Sequence, residues 1–116
     1  MLQFHANHVS ASVVSNCYQV TFAEEDTDDV HKPYLVIQRQ FDDSEDHTCC
    51  IETHDRKYCG YFLLRRIEFT PERLLVEIDR PSNDLIGITF RLTPRQYAEA
   101  SRVMKIISGD IEPEGD

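Results

Sequence analysis

The sequence predicts an α+β domain, a mostly antiparallel β-sheet of about seven strands with one C-terminal α-helix packed on it. Three observations predict it. Apolar and polar residues alternate through short segments along most of the chain. Turn-forming residues punctuate those segments. One stretch near the C-terminus changes to a helical period and carries both a start and a stop signal.

Leu2-Gln3-Phe4-His5-Ala6 alternates weakly and reads as a first strand. Cys17 to Phe22 alternates clearly, with Tyr18, Val20 and Phe22 on one face and Cys17, Gln19 and Thr21 on the other. The acidic run from Glu24 to Asp29 follows as a loop, closed by Pro33. Tyr34-Leu35-Val36-Ile37-Gln38-Arg39 is a strand by its β-branched and aromatic content. A second acidic loop, Asp42 to Asp46, leads into a strand at Thr48–Thr53, and His54–Lys57 reads as a turn. Gly60 opens one long extended segment, Tyr61 to Phe69. Thr70-Pro71-Glu72-Arg73 is a turn with proline at its second position. Leu74, Val76 and Ile78 give the inward face of the next strand; Pro81–Asp84 turns the chain; Ile86, Ile88, Phe90 and Leu92 face inward on the last.

The helix has the most complete local signature. Thr93 is a good N-cap, Pro94 takes the first helical position, and Gln96 completes a capping box. Tyr97, Ala100, Met104 and Ile107 recur at spacings of three and four, with Val103 beside them. Lys105 lies in the last turn and Gly109 stands where a left-handed C-terminal residue belongs. Residues 1–109 are expected to form one domain, followed by a loose acidic tail at 110–116.

The net charge is −9, and residues 24–46 carry most of it: nine acids against Lys32 and Arg39, a net of −7. Such a localised negative field speaks against nucleic-acid binding, which needs lysine and arginine to displace phosphate counterions. It suits steering of a basic protein partner, the other reading being a solvated loop that keeps the domain soluble. On charge alone, the candidate partner-binding residues are Glu24, Glu25, Asp26, Asp28, Asp29, Asp42, Asp43, Glu45 and Asp46. The N-terminus lacks the basic and apolar regions of a secretory signal, and no apolar run approaches membrane-spanning length. A cytoplasmic protein with reduced thiols and no membrane contact is the expectation.

Catalytic chemistry finds little support. His47, Cys49, Cys50, His54 and Cys59 fall close together and raise the alternative of a metal- or thiol-dependent protein. Structural zinc favours paired ligands two to four residues apart. Adjacent cysteines on a strand point to opposite faces, with Cys49 sharing a face with Ile51, and Cys50 one with Glu52. No C-x-x-C is present, no nucleophile sits in a recognisable motif, and four glycines leave no phosphate-cradling loop. No cofactor and no enzymatic activity are expected. Surface recognition remains, with Tyr18, Tyr34, Tyr58 and Tyr61 in the acid-rich half as candidate interface aromatics.

The order of segments resembles a known family. Phe4-x-Ala6 is followed by Tyr-x-Val-x-Phe-Ala (Tyr18 to Ala23), an acidic stretch, and then Tyr34-Leu35-Val36-Ile37-Gln38-Arg39. A second acidic loop, a strand carrying Ile51-Glu52, Gly60, the Leu74–Ile78 strand and the Leu92-Thr93 step into the helix complete the pattern. This is similar to immunity protein family 10, cytoplasmic proteins of bacterial polymorphic toxin systems. The resemblance spans about residues 4 to 108 and implies neutralisation of a cognate toxin by direct binding, without catalysis. Immunity proteins against nucleases are often acidic because they cover a basic active site, so the resemblance makes a basic toxin, a nuclease among the candidates, the expected partner. A homodimer through an exposed sheet edge stays open beside it.

Overall fold

The computed structural model describes residues 1–25, 32–41 and 48–109. Nine strands are described: β1 (Leu2–His5), β2 (His8–Val14), β3 (Cys17–Ala23), β4 (Tyr34–Gln40), β5 (Cys49–Thr53), β6 (Gly60–Phe62), β7 (Leu64–Phe69), β8 (Arg73–Ile78) and β9 (Leu85–Thr89). A short 3-10 turn spans Arg56–Tyr58, and α1 spans Pro94–Ser108. The strands form two sheets. One is five-stranded and wholly antiparallel, in the order β2-β3-β4-β5-β6. The other is four-stranded, β1-β9-β8-β7, with β1 parallel to β9 and the rest antiparallel.

The inward residues of β3, β8 and β9 are those the sequence marks, and the structure adds Leu35 and Ile37 on β4. Val20, Phe22, Leu35, Ile37, Leu74, Val76, Ile78, Ile86 and Ile88 are fully buried, and with the helix residues Ala100, Val103, Met104, Ile106 and Ile107 they make one core. Edge-to-face, stacked and tilted aromatic contacts tie the layers. Phe22 on β3 meets Phe69 on β7 and Phe90 after β9, and Phe69 in turn meets Tyr97 on α1. Pairs of this kind add roughly 0.5–1.5 kcal/mol beyond their buried area.

The helix ends are built as expected. Gln96 N–H donates to Thr93 Oγ1 at 3.2 Å, and Thr93 N–H donates to Gln96 Oε1 at 2.9 Å. Gly109, at φ 89°, donates its N–H to the carbonyls of Ile106 and Lys105. A cation from the sheet reinforces the C-terminus: Arg39 Nη1 donates to Ile107 O at 3.0 Å, where the helix dipole is negative.

Three features of the strand plan differ from the expectation. β2 is an additional strand, hairpinned onto β3. The segment 61–69 is two strands in different sheets: Phe62 pairs with Cys49, whereas Leu64 pairs with Ile78. Leu63 stands between them, half exposed, and its carbonyl accepts from Asp79 N–H at 2.8 Å, so the chain turns a corner there and continues the other sheet. The last strand stops at Thr89; Phe90 stays in the core while Leu92 is half-buried in the approach to α1. The first two raise the strand count from about seven to nine without altering the mostly antiparallel α+β plan.

Candidate protein-binding surface

Each sheet turns one face to the core and one outward, and the two outward faces differ in chemistry. On the four-stranded sheet, Arg66 pairs with Glu68 at 2.6 Å, Arg73 reaches Glu68 at 3.8 Å, and Glu77 stands opposite Arg66. This is a solvated, ion-paired surface, whose exposed pairs contribute little stability each.

The five-stranded sheet is built otherwise. Its register sets Ser12, Gln19, Gln38, Cys50 and Tyr61 in one rung across all five strands. The adjacent rung runs Ser10, Thr21, Val36 and Glu52. The odd–even alternation that buries Val20, Phe22, Leu35, Ile37 and Ile51 sends these side chains outward. Glu52 is the single formally charged residue in the two rungs, in a protein with 28% charged residues. Depletion of charge with retained aromatics is the composition of an interface centre. Four strand spacings of about 4.8 Å and a strand length of about 20 Å give a face of roughly 400 Å². A standard interface covers about 800 Å² per partner, so the face needs flanking segments to complete it.

The tyrosines divide accordingly. Tyr18 and Tyr58 are buried in the core, the former edge-to-face with Phe41. Tyr61 is 75% exposed on the open face, and Tyr34 lies half-buried at its margin. Burial pushes the Tyr34 hydroxyl above its ordinary pKa, reinforced by the negative charge of Glu52 and by Cys59. Burial likewise raises the Cys50 thiol, against a hydrogen bond to Tyr61 that lowers it. Both groups are therefore neutral at physiological pH, which leaves Glu52 as the charge at this end of the face.

The acid-rich segments leave from opposite ends of β4. The first departs after Ala23 and returns at Tyr34, residues that are cross-strand partners; the second departs after Gln40 and returns at Cys49. At the first, Glu24 N–H donates to Pro33 O at 3.0 Å, and Asn7 Nδ2 donates to Glu24 O at 3.0 Å. Glu25 lies 3.8 Å from Lys32, both half exposed. Asp26, Asp28, Asp29, Asp42, Asp43, Glu45 and Asp46 lie outside the described residues.

Among the described residues, the histidine–cysteine group does not converge. Cys49 points into the core and Cys50 onto the open face, as strand alternation requires. Burial raises the Cys49 thiol to about 11, against a lowering by Arg39. Cys59 bonds locally, its thiol donating to Thr53 O at 3.2 Å while Thr53 N–H donates to its sulfur at 3.4 Å. His54 Nδ1 accepts from the Tyr34 N–H at 3.1 Å, which leaves the ring proton on Nε2. His47 lies outside the described residues. Among the described residues, no three His, Cys, Asp or Glu side chains come together as metal ligands. No helix among them is long and apolar enough to cross a membrane.

The open face was missed by sequence reasoning because it exists only in the register. Its residues are spread over β2 to β6 and share nothing along the chain but an outward alternation phase.

A comparison with protein families matches residues 5–98 to the model of Immunity protein 10. No curated protein matches the chain significantly.

Proposed function

The chain belongs to the immunity protein 10 family, and from that premise we propose that it neutralises a cognate toxin by binding it through the open face of the five-stranded sheet. The charge-poor two-rung centre of that face, with Glu52 its one charged residue, on a protein whose other open sheet is laced with ion pairs, carries this reading. Gln38, on the middle strand, would lie at the desolvated centre, with Tyr61 on the edge strand β6 flanking it as the exposed aromatic. The acid-rich segments at the two ends of β4 supply the rim. There they raise the association rate for a basic toxin rather than the intrinsic affinity, because exposed charge acts through long-range steering. The toxin is occluded without any covalent step. A basic toxin such as a nuclease fits this arrangement, as do the absence of a cofactor and a site of action in the cytoplasm.

The test is a binding titration against the toxin domain encoded beside this protein, with Gln38→Arg at the face centre and Arg66→Gln on the opposite sheet. A charge forced into a desolvated interface without a partner costs about 2–5 kcal/mol, so Gln38→Arg should weaken binding by roughly thirtyfold or more. Arg66→Gln should bind as wild type does. Wild-type affinity for Gln38→Arg would move the interface elsewhere, and no binding by the wild type would remove the immunity reading for that toxin. Association rates that stay flat between low and moderate salt would refute steering alone.

A further inference from the structure

β2 forms one edge of the five-stranded sheet and, among the described residues, pairs only with β3. The two are joined by Ser15 and Asn16, with Ser15 at φ 56° and Val14 opposite Cys17. A two-residue hairpin makes its flanking pair hydrogen-bonded, and the ladder alternates from there. His8, Ser10, Ser12 and Val14 therefore bond to β3. Val9, Ala11 and Val13 direct their N–H and C=O groups to the free edge. At the far end Asn7 N–H donates to Ala23 O at 2.9 Å, with Ala23 opposite His8, which keeps that phase.

Free edges are normally guarded by shortness, charge, proline or a bulge. The other three edges here have such guards: β1 and β6 are only four and three residues long, and β7 carries Arg65, Arg66, Glu68 and a register shift between Leu64 and Arg66. β2 runs seven residues, HVSASVV, with no lysine, arginine, acid, proline or bulge in its pairing. Val13 and Val14 are 40% and 70% exposed on it.

The segment Val9-Ser10-Ala11-Ser12-Val13 is also a palindrome. Set antiparallel to itself about a two-fold axis at Ala11, it places Val9 opposite Val13 and Ser10 opposite Ser12. Ala11 then meets its own copy. Under the same axis the outward groups of Val9, Ala11 and Val13 find those of Val13, Ala11 and Val9, so each donor faces an acceptor. We propose that a second copy of this chain pairs on this edge, β2 against β2, joining two five-stranded sheets into one continuous sheet. Serine pairs and apolar pairs then fall on separate faces, a favourable cross-strand arrangement. Both open faces lie on the same side of the joined sheet, so the dimer presents the charge-poor surface twice. The pairing does not depend on what that surface binds.

One strand pair covers only roughly 250 Å² per copy, far below a standard interface, so the dimer is a weak one that fills with concentration. Sedimentation of the full chain at about 0.15 M salt, where charge repulsion is largely screened, should show mass rising from 13.5 kDa toward twice that value up to roughly 500 µM. Ser10→Lys with Ser12→Lys sets like charges opposite each other, whereas Ser10→Lys with Ser12→Glu sets opposite charges there. The first should need roughly tenfold more protein to dimerise than the second. Ala11→Pro removes an outward N–H without touching the β3 ladder and should leave a folded monomer. Amide exchange gives an independent readout: the Val9, Ala11 and Val13 amides should gain protection with concentration, while Ser10 and Ser12 stay protected throughout. A wild type that remains 13.5 kDa over the whole range, or a double-lysine variant that dimerises as readily as the charge-paired one, overturns the proposal.

Discussion

Cys49 offers a test of how tightly the junction of sheet and helix is sealed. Its side chain is 3% exposed, between β4, whose Arg39 lies nearby, and the C-terminal carbonyls of α1, with Sγ 3.9 Å from Ile107 O. Burial holds its thiol at about 11, against an ordinary value of 9.0. In the unfolded chain the thiol ionises as pH passes 9, lowering the free energy of that state; in the folded protein it stays neutral until about 11. The folded pKa is the raised one, so the stability it represents is fully present below pH 9 and is lost as pH rises through 11. Each pKa unit is worth 1.36 kcal/mol, and integration to pH 11 gives a loss of about 2 kcal/mol. Urea unfolding at pH 7.5, 9, 10 and 11 at constant ionic strength measures it, comparing wild type with Cys49→Ala. The alanine variant starts lower because it leaves a small cavity, but the other titrating groups are common to both proteins. The expected result is convergence of the two stability curves by about 2 kcal/mol between pH 9 and 11. Parallel curves would refute the reasoning and mean that water or a counter-charge reaches the thiol.

Arg39 is the complementary handle on the same junction. Arg39→Met should cost about 1–3 kcal/mol in urea unfolding by leaving Ile107 O without its charged donor, and should raise the Cys49 pKa further, since Arg39 is the group that lowers it. Gly60 sits at φ 148°, and a Cβ there would come 2.9 Å from Cζ of Phe62, whose ring also lies under the Arg80 guanidinium at 4.8 Å. Gly60→Ala should therefore lower stability by about 1–3 kcal/mol in a thermal melt, and an unchanged melting midpoint would contradict the strained geometry.

The helix was legible in full because its signals are local. Thr93, Pro94, Gln96 and Gly109 act on neighbours within four residues, and the apolar stripe from Tyr97 to Ile107 needs no knowledge of what it meets. The inward residues of β3, β8 and β9 were equally plain, since period-two alternation records which side of a strand is buried, whereas β4 showed only its strand character. β2 escaped because serine and alanine alternate with too little contrast in hydrophobicity. The break at Leu63 escaped because an exposed leucine inside an extended run carries no local mark of a corner.

By itself, then, the sequence determined most of the element types, the inward faces of β3, β8 and β9, the sealed ends of the helix and the concentration of negative charge in residues 24–46. The resemblance in segment order pointed to the family that the match over residues 5–98 supports. Tertiary structure decided what depends on distant partners: which strands share a sheet, the parallel pairing of β1 with β9, and the reach of Arg39 to Ile107 across 68 positions. It also decided the candidate site, because Ser12, Gln19, Gln38, Cys50 and Tyr61 become one surface only through cross-strand register. The physical reason is range. Capping, propensity and alternation act within a few residues of the chain, whereas register is set by the burial of a whole core at once.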